Sequence, residues 1–412
     1  MNGASALPEK SILILTYRNL DAGGGASYRT TYIAKYLSRF FNVLIVDGWR
    51  NTYIVAKHGS LKRRIENKSK LSIFLSYIPL ILNRILNILG FPREEVGRLT
   101  SILDLGLFYD ALRVSLKAKP FLIIIEEYYS LIVIAFLLRK IFKVKHLILD
   151  LHNIDTLRLL RYPNISKIFL KLIYVIERKA FNTADLIIVV SDRDMCFAKK
   201  IFNNVNSTVV VPNFVSYSEL EIMKHGGLGE LEEVIRDEYI VFHGDFRYYP
   251  NREALFNLLK HIMPRIWELY PTIKLVIMGP GLPQFLGERV ISLGYVSQKT
   301  LYKILCNAGY ALVPLLRGGG TRIKILEYMA CGVPVISTRV GAEGLDVENF
   351  KHIILVNSVN EFPLMLKILI ENNELRERIK YNAVNLVKER YDIDKAMEKF
   401  IDICFKWMKS GD

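Results

Sequence analysis

The sequence predicts an α/β protein built from two doubly wound domains, each a parallel sheet with helices on both faces. Three observations carry that prediction. Short apolar runs recur along the chain without alternating polar positions, the mark of strands buried on both faces. Stretches of helical periodicity fall between most of these runs. The whole pattern halts after Phe214 and then starts again.

In the first half the strands read as Ile12–Leu15, Val43–Val46, Leu122–Ile125, His146–Leu149, Leu186–Val190 and Thr208–Val211. Helical patterns at Thr30–Phe40, Ile132–Ile141 and Ile165–Phe181 lie among them. Pro212-Asn213 closes this half. The polar stretch Ser216–Asp237, with Gly226, Gly227 and Gly229, has no strand pattern and reads as the linker. Strands then resume at Tyr239–Phe242, Lys274–Met278, Tyr310–Pro314, Val333–Ser337 and His352–Leu355. Helices are expected at Arg252–Tyr270, Lys299–Ala308, Thr321–Ala330, Val359–Glu371 and Glu374–Val387. The domains are therefore expected over residues 1–213 and 214–392, with a last helix in 393–412 that could pack back on the first. The length of 412 residues suits two such cores better than one. Ligands of doubly wound sheets bind outside the strand C-terminal ends. A cleft between the two domains is thus the expected place for chemistry.

Hydrophobic residues make up 51% and charged residues 24%, a folded composition without a disordered majority. The formal net charge of +15 favours an anionic partner, such as a nucleotide, a phospholipid headgroup or a phosphorylated acceptor. Cys196, Cys306, Cys331 and Cys404 are scattered, with no CxxC pair or Cys/His cluster. That argues against structural zinc and a disulfide framework, and suits a reducing cytoplasm. The N-terminal MNGASALPEK has neither the basic nor the apolar region of a signal peptide.

The nearest approach to a transmembrane segment is Leu71–Leu89, interrupted by Pro79, Asn83, Arg84 and Asn87. One central Arg costs roughly 2.5–3.5 kcal/mol on insertion scales. From Thr52 to Thr100 nine basic residues (Lys57, Lys62, Arg63, Arg64, Lys68, Lys70, Arg84, Arg93, Arg98) face three acidic ones (Glu66, Glu94, Glu95). Two readings fit: in-plane contact with an anionic bilayer, or an amphipathic helix that covers the sheet with its lysines in water.

The candidate site residues fall where strands end. NLDAGGGASYRT sets Gly23, Gly24 and Gly25 between the first strand and its helix, a turn suited to an anion but not a GxGxxG dinucleotide fingerprint. LDLHN places His152 and Asn153 at the end of strand His146–Leu149, where a neutral imidazole can donate to a sugar hydroxyl or a phosphate. VFHGDF gives Gly244 and Asp245, with room for a phosphate beside Gly244. VIMGPGLP gives Gly279 and Gly281, and LGYVS adds Tyr295 and Val296, backbone and apolar groups that can hold a flat base. Each of these stretches also fits a plain loop or strand-to-helix turn.

The densest stretch is LLRGGGTRIKILEYMACGVPVIST, Leu316–Thr338. Gly318, Gly319 and Gly320 lead into a helix start with Thr321, Arg322 and Lys324, and Glu327 follows. Glycines let backbone approach a phosphate, and a helix start offers N–H groups and positive dipole. Lys324 adds a full charge, and Glu327 can accept two hydroxyl hydrogen bonds, as a ribose diol would offer. The three-residue spacing of Lys324 and Glu327 also permits a simple surface ion pair.

Together these motifs resemble the GT-B glycosyltransferases of the retaining family 4 type, the group 1 glycosyl transferases. The resemblance to the donor domain runs from Tyr239 to Leu345, through HGDF, PN, GPG, GYV, the Leu316–Thr338 stretch and GAEGL. ERKAFNTADLIIVVSDRD, VVPNF and LDLHN resemble the acceptor-side domain. The resemblance implies two Rossmann-like domains facing across a cleft, a nucleotide diphosphate sugar as donor, retention of anomeric configuration, and no metal or other cofactor. It implies that Glu327, at the second Glu of the E-x7-E motif, bonds the nucleotide ribose. It sets Gly318, Gly319, Gly320 and Thr321 at the donor sugar and diphosphate, His152 near the transferred sugar, and Gly24 and Gly25 near the diphosphate.

The chain departs from the family pattern at three places. Gly319 replaces the first Glu of E-x7-E. The Arg/Lys pair that many members carry after the first donor-domain strand is not evident around Gly244, which leaves Lys324, Arg322 or Arg247 to supply positive charge. Phe214-Val215-Ser216 replaces the usual Gly-Val/Ile-Asp at the domain junction.

The expected function is hexosyl transfer from a UDP or GDP sugar to a glycan or lipid-linked glycan, with His152, Lys324 and Glu327 as the catalytic group. The expected setting is the cytoplasm, with peripheral contact at the inner face of the membrane. A sugar-nucleotide epimerase on the same plan and a catalytically weak, membrane-associated binding subunit are the alternatives. Nucleic acid is not an expected partner, because no recognised binding module is present.

Overall fold

The computed structural model describes residues 10–17, 20, 25–48, 52–55, 61–64, 70–88, 100, 103–127, 131–162, 165–202, 207–224, 238–282 and 287–410. The chain forms two compact units, Met1–Val211 with Met397–Asp412, and Pro212–Ala396.

The first unit runs β1 Ser11–Thr16, α1 Gly25–Leu37, β2 Asn42–Val46, β3 Thr52–Val55, β4 Leu61–Arg64, α2 Lys70–Leu75, α3 Tyr77–Ile88, α4 Leu105–Ala118 and β5 Leu122–Glu126. It continues with α5 Ile132–Phe142, β6 His146–Asp150, α6 Asp155–Leu159, α7 Lys167–Thr183, β7 Leu186–Val189, α8 Asp192–Phe202 and β8 Ser207–Val210. The sheet order is β4-β3-β2-β1-β5-β6-β7-β8. From β2 to β8 all pairs are parallel, and β3 and β4 extend the edge antiparallel. Register aligns Leu15, Ile125, Leu149 and Ile187 in one buried row across four strands. The next row toward the C-terminal ends, Thr16, Glu126 and Asp150, is polar yet fully buried. That change of chemistry marks where the core stops and a site can begin.

β3 and β4 are further strands beyond those expected from the sequence. Leu61–Arg64 is LKRR, which lacks the apolar run of a strand covered on both faces. As the outermost strand of the sheet it needs no such run.

The second unit contains α9 Tyr217–Lys224, β9 Tyr239–His243, α10 Tyr249–Asn257, α11 Met263–Leu269, β10 Lys274–Met278, β11 Val290–Ser292, α12 Gln298–Cys306 and β12 Tyr310–Val313. Then come α13 Ile323–Ala330, β13 Val335–Thr338, β14 Ile354–Val356, α14 Phe362–Glu371, α15 Asn373–Leu386 and the start of α16 Ile393–Ser410. Its sheet, β11-β10-β9-β12-β13-β14, is parallel throughout. Val276, Val241, Ala311 and Val335 form its central buried row.

Four local expectations are corrected. The stretch read as a linker contains α9, while residues 225–237 lie outside the described residues. The helix expected over Arg252–Tyr270 is divided by a wide turn, Leu258–Ile262, just before Pro264. Proline has no amide hydrogen and its ring crowds the preceding turn, so the backbone widens there. The helix expected from Thr321 begins at Ile323, and β13 begins at Val335, after Gly332 and Pro334. Cys306 and Cys331, scattered in sequence, bring their Sγ atoms to 2.9 Å.

From Met397 onward α16 belongs to the first unit. There Phe405 stacks on Phe41 at 5.7 Å and meets Phe40 edge-on at 5.4 Å, and Trp407 lies edge-on to His146 at 4.7 Å.

Candidate functional site

In the second unit the loops after β9, β10 and β12 gather at the strand C-terminal ends. The first two are stitched by backbone: the Gly244 amide donates to the Met278 carbonyl at 3.0 Å, and the Phe246 amide to Pro280 at 2.8 Å. The Gly279 amide donates to the Gly294 carbonyl at 2.6 Å, which brings in the Tyr295-Val296 loop. A Cβ on Gly279 would overlap the Gly244 carbonyl oxygen, and φ there is +135°, so only glycine fits. At Gly281 a Cβ would press on Arg247 Cγ at 2.8 Å.

Gly244 opens space for Lys324. A Cβ on Gly244 would stand 2.7 Å from Lys324 Nζ and 2.8 Å from Asn251 Nδ2. Lys324, in the first turn of α13, donates to Asn251 Oδ1 at 2.9 Å and sits 4.4 Å above the Phe242 ring centre. Asn251 is itself held by a 2.8 Å bond from its Nδ2 to the Asp245 carbonyl. Burial, and then the Arg322 charge, pull the Lys324 ammonium down to about 7, with Glu327 opposing. A lysine in this state gains from any anion that arrives.

Glu327, one turn further along α13, pairs through Oε2 with His243 Nε2 at 2.9 Å. The His243 amide donates to the Tyr328 hydroxyl at 2.9 Å, and the two rings meet edge-on at 5.0 Å. Lys324 and Glu327 therefore do not form the surface pair that their spacing permits; each is taken by a residue from the β9 side.

The glycine turn is shaped from within. Arg322 Nη1 donates to the carbonyls of Gly319 and, at 2.7 Å, Gly320, and a Cβ on Gly318 would meet Arg322 Nη2 at 2.7 Å. Thr321 is buried and its Oγ1 accepts from Asn213 Nδ2 at 2.8 Å. Asp245 carries a two-point pair with Arg247 at 2.9 and 2.6 Å, out in solvent. Of the three cations expected to supply charge, Arg247 is thus tied to Asp245 and Arg322 to the turn's own carbonyls. Lys324 is the one whose partner is a neutral side chain. Val296 is half-buried and Tyr295 is 74% exposed, so no contact draws Tyr295 into this cluster.

The first unit holds a second constellation at the polar row. Arg29, from α1, is buried and grips both oxygens of Asp150, Nε to Oδ2 and Nη2 to Oδ1, each at 2.9 Å. Its Nη2 also donates to the Val211 carbonyl at 3.2 Å. Burial works against the Arg29 charge, but Asp150 overcomes this and raises it above its ordinary value. His152 Nε2 lies 3.2 Å from Glu126 Oε2, which also accepts from Thr30 Oγ1 at 3.4 Å. Burial pushes Glu126 up to about 7, against the pull of Arg29. Among the described residues its buried Oε1 has no hydrogen-bond partner.

The His152-Asn153 turn is fixed from behind. Glu177, within the ERKAF motif, accepts the Asp155 and Thr156 amides at 2.8 and 3.0 Å and so caps α6. Asn153 buries its Oδ1 beside this turn. Gly25 opens α1, and Gly23 and Gly24 lie outside the described residues. Glu126, Asp150 and His152 together offer ligand atoms within 4.8 Å of one another. Arg29 already covers both Asp150 oxygens and brings the positive charge that a cation would bring.

Sequence reasoning did not single out His243, Asn251, Tyr328, Glu126, Arg29 or Asp150. Signals existed for some: His243 precedes the quoted Gly244, Asn251 follows Pro250, and Glu126 and Asp150 each end an apolar run.

Two doubly wound sheets with glycine loops at their strand ends define the GT-B class. Sucrose-phosphate synthase from Thermosynechococcus elongatus superposes with a TM-score of 0.74 at 16% identity, covering 98% of this chain and all of that one. Anabaena HepE in complex with UDP-glucose gives 0.67 at 14%, covering 96% and 99%. Residues 237–372 match the family model of the Glycosyl transferases group 1. An uncharacterized glycosyltransferase of Methanocaldococcus jannaschii is 24% identical over 241 residues, 55% of this chain. The chitobiosyldiphosphodolichol beta-mannosyltransferase of Candida albicans is 25% identical over 285 residues, 62% of this chain. The chain spans 59% and 61% of the lengths of these two relatives.

Proposed function

We propose that the protein transfers a sugar from a nucleotide diphosphate sugar to a hydroxyl acceptor, with retention of anomeric configuration. The observation that carries this reading is Lys324. It is a partly buried ammonium bonded to a neutral amide and packed against Gly244, where a Cβ would crowd it. A diphosphate leaving group would supply the missing negative charge. Charge developing on it as the glycosidic bond breaks would be stabilised by Lys324 and by glycine-loop amides already in place. Glu327, steadied by His243, is suited to the ribose diol. On the first unit, His152 held by Glu126 is suited to a hydroxyl of the transferred sugar. The acceptor hydroxyl then attacks from the face the nucleotide leaves, and its proton passes to an oxygen of the departing diphosphate.

UDP is the first donor base to test, since HepE was solved with UDP-glucose. A lipid-linked glycan is the favoured acceptor class, in keeping with the name of the Candida relative and the basic character of the chain. The site of action would then be the cytoplasmic face of a membrane.

A thermal-shift panel of nucleoside diphosphates tests the donor. Selective stabilisation by UDP or GDP supports the reading, and no shift with any of them overturns it. NMR of the first product formed from the matching nucleotide sugar tests retention; an inverted anomer would overturn that part.

A further inference from the structure

Helices α2 and α3 carry their amphipathicity the wrong way round for a helix in water. Their inward positions are polar or small: Ser72, Ser76 and Pro79 are buried, and Asn83 and Asn87 follow Pro79 at helical spacing on that side. Ser72 Oγ donates to Asp110 Oδ2 on α4 at 2.6 Å, and Asn83 Oδ1 accepts from Thr100 Oγ1 at 2.5 Å. The outward positions are large and apolar. Phe74 is 70% exposed, Ile81 57% and Ile88 84%, with Tyr77, Leu80 and Ile85 also exposed. A surface helix in water keeps the opposite arrangement, and a contiguous apolar patch of this kind marks an interaction surface.

We propose that α2 and α3 lie in the plane of an anionic lipid bilayer, their apolar side chains among the upper acyl chains and exposed Lys70 and Arg84 at the headgroups. The nine basic against three acidic residues between Thr52 and Thr100 choose the partner, because anionic headgroups attract each added Lys or Arg. A second copy of the chain is a poor occupant: a symmetric pairing would bring the same basic segment against itself, on a protein of net charge +15. Among the described residues Lys70–Ile88 is the one helical stretch long and apolar enough to cross a membrane. It is held to the surface instead. A turn interrupts it at Ser76, Ser72 is bonded to α4, and exposed Arg84 within the apolar face suits a helix lying flat with its guanidinium at the headgroups. This inference does not depend on the transfer reaction.

Flotation of the full chain with phosphatidylcholine vesicles, with and without phosphatidylglycerol, tests the proposal. The chain should float with the anionic vesicles and be released by high salt or alkaline carbonate. The triple variant Phe74→Ser/Ile81→Ser/Ile88→Ser should lose about tenfold or more in partitioning, since each site gives up buried apolar area. Its cooperative thermal melt without nucleotide should be kept, which shows it folded and keeps this test separate from the donor assignment. Recovery of wild type in the supernatant with both vesicle types overturns the proposal. So does equal binding to neutral vesicles, retention through carbonate, or unchanged partitioning of the triple variant.

Discussion

Lys324 and Asn251, 73 positions apart in the chain, are joined by a 2.9 Å hydrogen bond whose acceptor is a neutral amide. The amide orients the ammonium without cancelling its charge. Lys324→Ala should therefore remove a fixed charge stabiliser while leaving the core intact. Transfer should fall by about 10²–10³ in kcat, the loss typical of deleting one preorganised donor. Lys324→Arg should not restore it, because the guanidinium fork is larger and the space beside Gly244 is already tight. Steady-state kinetics beside a thermal melt check this; a folded Lys324→Ala protein of wild-type rate would remove Lys324 from the mechanism.

The lowered Lys324 value makes donor binding pH-dependent. In the free protein the amine loses its proton above about 7, and a bound diphosphate would restore it. Calorimetry near pH 8, in buffers of different ionisation heat, should register uptake of about one proton on nucleotide binding. Affinity should fall by about tenfold per pH unit above the free value until the bound value is reached. Lys324→Ala should lose both effects. The sign for stability is separate. Because the folded value lies below the ordinary 10.5, the unfolded chain binds more protons between the two, so this group makes the free protein more stable as pH rises through that window.

Much of this site was legible because strand ends announce themselves as the close of an apolar run, and glycines cluster just beyond. Partner choice was not. Lys324 and Glu327 stand three apart on a helix, which suggests each for the other, yet their partners Asn251 and His243 come from 73 and 84 positions away. Such pairings depend on the crossing of parallel strands, which spacing within one segment does not encode. The contact of Cys306 with Cys331 was hidden for the same reason. In the first unit Glu126 and Asp150 read as ordinary strand ends until register placed them side by side. β3 and β4 escaped because edge strands lack the continuous apolar run by which the inner strands were found.

Gly279 and Gly294 form one hydrogen-bonded contact but should answer differently to substitution. A Cβ at Gly279 meets the Gly244 carbonyl and adopts φ +135°, whereas at Gly294 nothing lies within 4 Å and φ is +62°. Gly279→Ala should cost roughly 2–5 kcal/mol from overlap and strain together, and Gly294→Ala about 1–2 kcal/mol from the left-handed backbone alone. Urea melts of the two variants check this. Equal losses would mean that the junction of the two loops has room to open.

Glu126 gives the first unit a pH signature of opposite sense. Burial holds its carboxyl at about 7, above the ordinary 4.5, so the folded chain binds more protons than the unfolded one between those values. Folding stability from this group is therefore fully present below pH 4.5 and declines as pH rises toward 7. Glu126→Gln keeps an oxygen for His152 and Thr30 but cannot ionise. Relative to wild type, the variant should gain roughly 1–3 kcal/mol between pH 5 and pH 7.5, read from urea melts at the two pH values. At saturating donor, where the bound diphosphate holds Lys324 protonated, its kcat should also lose the part of the pH dependence near 7 that Glu126 contributes, since the His152 imidazole would no longer face a carboxyl that changes charge. Parallel stability curves for wild type and Glu126→Gln, together with an unaltered rate profile, would show that Glu126 keeps one charge state throughout and only braces the loop.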